Sequence, residues 1–136
     1  MRKDLRVFER KRNISLDIVY ALDISGSMHG RKIDAGKKAA VGLALMGTRV
    51  GDRVGVVAFN TSVYIISPPT ANVRHIAHRI VSLSPSSGTD IALAVAESVR
   101  LLHEYSDPER GKHIILITDA IPTSGSDDPV ERTYRE

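Results

Sequence analysis

Polar and apolar positions fall in blocks along this chain, and the blocks predict alternating strands and helices. Residues 15–22 are almost continuously apolar, which suits a strand buried on both faces of a parallel sheet. Over 32–48 the apolar groups Ile33, Ala40, Val41, Ala44 and Leu45 recur at helical spacing, and Gly51-Asp52 marks the turn that follows. Residues 53–59 read as a second strand and 63–66 as a third. The three-residue turn Asn60-Thr61-Ser62 between them leaves room only for an antiparallel hairpin. Pro68-Pro69 is expected to end the third strand and to suit a sheet edge. A short helix is predicted near 73–81 with Ile76, Ile80 and Val81 on one side. A loop follows over 84–88, then a helix near 90–103 with Ile91, Val95, Val99 and Leu102 as its buried stripe. Asp107-Pro108 breaks that helix, and the apolar run 113–118 is the fourth strand.

Strands alternating with helices predict a doubly wound α/β fold, mostly parallel, with one antiparallel edge strand and helices on both faces. If the chain runs outward from the first strand to the second and third, and then returns to lay the fourth beside the first, strand order reverses between strands one and four. Ligands of such sheets bind outside the carboxyl ends of the strands at that reversal. Asp23 and Asp119 end those two strands and are expected to face each other there, about one strand spacing apart.

The residues around this point are rich in oxygen donors. Asp23-Ile24-Ser25-Gly26-Ser27 sets a carboxylate and two hydroxyls at alternate positions after the first strand. Gly88-Thr89-Asp90 opens a helix, and Thr118-Asp119 closes the fourth strand. Hard oxygen donors gathered from three loops suit a hard divalent cation, Mg²⁺ or Mn²⁺. Thr89 also suits a helix N-cap, and Asp90 suits a helix start. His29 is read as an exposed loop residue, Met28 and Met46 as packing groups, and Arg31, Arg100 and Glu104 as solvated charges.

Composition narrows the classes. The chain has 136 residues, enough for one core, and 42% of them are hydrophobic, as in a folded globular protein. No apolar run approaches the roughly 20 residues that cross a bilayer. The absence of cysteine excludes disulfides and thiolate metal sites and fits a cytoplasmic protein. The net charge is +3, with basic residues crowded into a leader over 1–13. Only six aromatic residues exist (four Tyr, two Phe) and none interleaves with a basic run, so the leader reads as solvated and not as a nucleic-acid site. Residues 14–136 form the expected domain. Ser126 and Pro129 begin a further helix, so the domain is expected to be incomplete after its fourth strand, whose edge would then be open to self-association.

Enzyme motifs are missing. Gly30 and Gly36-Lys37-Lys38 do not make a phosphate loop, a serine-hydrolase elbow is absent around Ser27, and Ser25 occupies the place where a dehalogenase-type phosphatase carries its second aspartate. The segments around Asp23, Thr89 and Asp119, in that order, resemble the metal-ion-dependent adhesion site of von Willebrand factor A domains. Gly51 to Phe59 is similar to that family's second strand. Pro68-Pro69-Thr70 followed by Gly88-Thr89 is similar to prokaryotic members of the magnesium-chelatase-D type, and to those that accompany MoxR-type ATPases. Ala120 stands where the family often has glycine. The resemblance implies a Rossmann-like domain, with Mg²⁺ or Mn²⁺ on Ser25, Ser27 and Thr89, and Asp23 and Asp119 acting directly or through water. It further implies a protein ligand that supplies Asp or Glu, within a MoxR-type AAA+ ATPase complex. The alternatives are a metal-dependent phosphoryl hydrolase, or a structural assembly domain in which the metal site is not used.

Overall fold

The computed structural model describes residues 15–119. The basic leader, Ala120 and the expected helix beginning near Ser126 lie outside the described residues. The elements are β1 (Leu16–Asp23), a 3-10 turn (Gly26–Met28), α1 (Arg31–Arg49), β2 (Arg53–Phe59), β3 (Val63–Thr70), α2 (Val73–Ile80), α3 (Ile91–Tyr105) and β4 (Gly111–Ile117). The sheet has the order β3-β2-β1-β4, with β1 parallel to both β2 and β4 and with β3 antiparallel to β2. This is a mixed α/β sheet of the Rossmann-like kind, and strand order reverses between β1 and β4.

Alternation along the central strands builds two cores. Ile18, Tyr20 and Leu22 of β1, with Val54, Val56 and Ala58 of β2, face Ile33, Ala40 and Ala44 of α1 and Ile76 and Ile80 of α2. Val19 and Ala21, with Val57 and Phe59, face Ala94, Leu101 and Leu102 of α3. Because both faces are covered, β1 needs no polar alternation, apart from Asp17 and Asp23 near its two ends.

The helix faces differ in places from the expected stripes. α3 buries Ala94, Ser98, Leu101 and Leu102, while Val99 is 41% exposed. Apolar residues surround the first two turns of this helix, so its period alone does not select the face that meets the sheet. The Ser98 hydroxyl is satisfied by the Ala94 carbonyl at 2.7 Å. Likewise Met28 is buried, but Met46, Leu45 and Val81 are exposed.

Pro68-Pro69 does not end β3, which continues to Thr70 along the edge of the sheet. The pairing slips twice there: Val54 lies opposite Thr70, Val56 opposite Ser67 and Val57 opposite Ile65, so β3 carries two extra residues and bulges. Gly55 makes this possible. A Cβ on it would lie 3.1 Å from both Pro69 N and the Ser67 carbonyl oxygen. β4 begins earlier than expected, at Gly111, and among the described residues it is an edge strand in which only Ile117 is buried.

The amino-end of the sheet is closed by an ionic clamp. The Asp17 carboxylate, wholly buried, accepts from Arg53 Nε and Nη2 at 2.9 and 2.7 Å and from Arg110 Nε at 2.6 Å. Arg110 also donates to the carbonyls of Leu16 and Gly51. Burial pushes the Asp17 carboxyl up. Hydrogen bonds from Arg53, Ser106 and Arg110, together with the Arg53 charge, outweigh that and hold it at about 2, below the ordinary 3.8.

Candidate metal centre

The other end of the sheet gathers the oxygen donors. β1 ends at Asp23, which is 1% exposed, and the chain turns at once through Ser25, also buried. The turn is held by the Ser25 amide donating to Asp23 Oδ1 at 2.8 Å and by the Met28 amide donating to the Ser25 carbonyl at 2.9 Å. Met28 anchors the turn in the core, and Gly30, at a φ of 77°, swings the chain into α1.

One hydrogen-bonded chain links four of the five expected site residues. Ser25 Oγ and Ser27 Oγ are 3.2 Å apart, and Ser27 Oγ donates to Asp119 Oδ1 at 3.3 Å. Asp23 stands at the floor, and Ser27 and the partly exposed Asp119 stand at the mouth. The register sets Thr118, not Asp119, alongside Asp23. Leu22 pairs with Ile117, and one step further the Thr118 hydroxyl donates to Asp23 Oδ2. Asp119 therefore meets Ser27 instead of facing Asp23.

Thr89 reaches the same end by a different route. The loop that carries it is sewn to the sheet by three backbone bonds: Ser86 amide to Ile24 carbonyl at 2.8 Å, Gly26 amide to Ser87 carbonyl at 2.8 Å, and Asp90 amide to Asn60 carbonyl at 2.7 Å. Thr89 is exposed and makes no direct hydrogen bond to the other four residues. Asp90, not Thr89, caps α3, accepting from the Leu93 amide at 2.9 Å. The Thr89 hydroxyl is thus not used as a cap.

The donor set fits a hard cation. Asp23 is a buried carboxylate with two hydrogen bonds and no cationic side chain beside it among the described residues, an arrangement that is costly unless positive charge is supplied. Its oxygens keep lone pairs for a metal or a metal-bound water. No group of three His, Cys, Asp or Glu side chains stands together among the described residues, so a metal here would rely on hydroxyls beside two carboxylates. Two residues outside the expected ligand set also stand at the site, Thr118, already noted beside Asp119 as an oxygen donor, and Lys32, for which no role was expected. Thr118 is the hydrogen-bond donor to Asp23, and Lys32 pairs with Asp119, its Nζ 2.7 Å from Oδ2. For Thr118, adjacency to Asp119 was a signal. For Lys32 there was none, because its position depends on how α1 leaves the turn.

A family model described as the von Willebrand factor type A domain matches residues 18–121. The chain is 28% identical over 127 residues to inter-alpha-trypsin inhibitor heavy chain H1 of Homo sapiens, an overlap of 85% of this chain and 14% of that one. It is 31% identical over 125 residues to protein sll0103 of Synechocystis, covering 88% of this chain and 29% of the other. A von Willebrand factor type A structure from Catenulispora acidiphila superimposes with a TM-score of 0.69 at 23% identity, over 88% of this chain and 30% of that one. The chain thus spans less than a third of the length of either curated relative. No helix among the described residues is long and apolar enough to cross a membrane.

Proposed function

This chain belongs to the von Willebrand factor type A family, and we propose that it works as a divalent-metal-dependent protein-interaction module and not as an enzyme. Domains of this family mediate protein–protein interaction or assembly. In this reading the hydroxyls of Ser25, Ser27 and Thr89 hold Mg²⁺ or Mn²⁺, and Asp23 and Asp119 contribute directly or through water. The observation that carries it is Asp23, a buried carboxylate without a cationic side chain beside it among the described residues, joined through Ser25 and Ser27 to the donors of a second strand end.

Neutral hydroxyls neutralise a cation less than carboxylates do, so a bound ion would keep its pull on one more anionic ligand. An Asp or Glu of a partner protein is the natural candidate. A MoxR-type AAA+ ATPase complex as that partner, and a cytoplasmic location, rest on sequence resemblance and composition. Self-association through the β4 edge is supported by its open side among the described residues and by Ile115, which is 38% exposed.

The test is thermal unfolding in chelator and in about 10 mM Mg²⁺ or Mn²⁺, comparing wild type with Asp23→Ala. A site with a dissociation constant of about 1 mM adds about 1.4 kcal/mol at that concentration. The expected shift is about 3–8 °C in wild type and none in the variant. Acetate, as the simplest carboxylate, should enlarge the wild-type shift. Equal melting of wild type in chelator and in metal, with or without acetate, would refute the reading. Phosphate release from a phosphomonoester that needs both Mg²⁺ and Asp23 would replace it with a hydrolase.

A further inference from the structure

Lys32 sits in the first turn of α1, directly beyond the glycine that turns the chain over the site. Its Nζ lies 2.7 Å from Asp119 Oδ2, while Asp119 Oδ1 accepts from Ser27 at 3.3 Å. The Lys32 side chain is 57% exposed and that of Asp119 is 25% exposed, so the pair lies at the rim, where solvent ions exchange. The two carboxylates are therefore treated differently. Among the described residues Asp23, at the floor, accepts only neutral donors, whereas Asp119 already has a cation from the chain itself.

We propose that Lys32 is an internal cation that competes with the divalent metal for Asp119, so that filling the site requires this ammonium to yield its carboxylate. The inference rests on the metal reading of the site and deepens it by naming what sets the affinity. Like charges repel, and a carboxylate drawn toward Nζ is less available to a second cation. A metal that takes Asp119 directly displaces Lys32; one that takes it through water still loses affinity to the nearby positive charge. The lysine thus raises the metal concentration at which the module is loaded.

The experiment is a calorimetric titration of the full chain with Mn²⁺ and with Mg²⁺, on wild type, Lys32→Gln and Lys38→Gln. Lys38 is an exposed lysine of the same helix, and its loss removes the same formal charge away from the Asp119 pair. Lys32→Gln should bind metal about five-fold more tightly, the upper range for an exposed ion pair, and Lys38→Gln should stay within about two-fold of wild type. In unmutated protein, amine-reactive labelling of Lys32, read by mass spectrometry, should rise when metal is added and return with chelator. This arm does not depend on any variant folding. Metal binding by Lys32→Gln alone would support the competition in its strongest form. Equal or weaker binding by Lys32→Gln beside a wild type that binds, or labelling of Lys32 that is unmoved by bound metal, would overturn it while leaving the metal reading intact. No binding by any of the three proteins would overturn both.

Discussion

The clamp at Asp17 makes a prediction that can be worked through in numbers. Asp17 is buried, and its carboxyl is held at about 2 against an ordinary 3.8. A depressed carboxyl stabilises the fold fully above its unfolded value and loses that contribution as pH falls through the folded value. At about 1.4 kcal/mol per pH unit the gap is worth about 2 kcal/mol, after a discount for the Arg53 side chain, which is a third exposed. Asp17→Asn keeps the shape but removes the titration. Urea unfolding of both proteins at pH 5, 4, 3 and 2 should therefore show wild type losing about 2 kcal/mol more than the variant over that range. The variant should also be less stable at pH 7 by about 2–4 kcal/mol, because two guanidinium groups lose their shared anion. Parallel pH profiles for the two proteins would refute the assignment of the acid sensitivity to this clamp.

Other consequences follow from particular contacts. Gly55→Val should destabilise by about 2 kcal/mol or more in urea unfolding, since its side chain would press on the backbone of Ser67 to Pro69; an unchanged midpoint would mean that the bulge is not held as described. Asp90→Ala should cost about 1 kcal/mol through loss of the α3 cap, with Asp90→Ser recovering most of it, measured in the same way. Ser27→Ala should leave the melting temperature in chelator nearly unchanged and remove at least half of the Mg²⁺-induced rise, because Ser27 joins the β1 loop to Asp119; a full rise in the variant would take Ser27 out of the site.

Local patterning along the chain located each strand and helix, since each is a run with its own period, but it did not place the end of β3, the start of β4 or the buried face of α3. The apolar run before Asp23 suited a strand covered on both faces, and the three-residue Asn60-Thr61-Ser62 turn left room only for a hairpin. The Asp-x-Ser-x-Ser spacing placed three oxygen donors on one turn, because residues so close in the chain share a loop in any fold. Tertiary structure decided what depends on residues far apart. It chose which side of α3, whose first two turns are apolar all round, meets the sheet: Ala94, Ser98, Leu101 and Leu102 are buried, and Val99 is not. It carried β3 past two prolines, because Gly55 on the neighbouring strand leaves room for the bulge. Thr118 came to lie beside Asp23 and Asp119 beside Ser27, 92 residues away, through a parallel register that no local period encodes. Lys32 reached Asp119 only because a glycine turn aims α1 across the end of the sheet. A side chain's type sets which charges and hydrogen bonds it can offer, but its partner is set by strand order, register and the path of the turns.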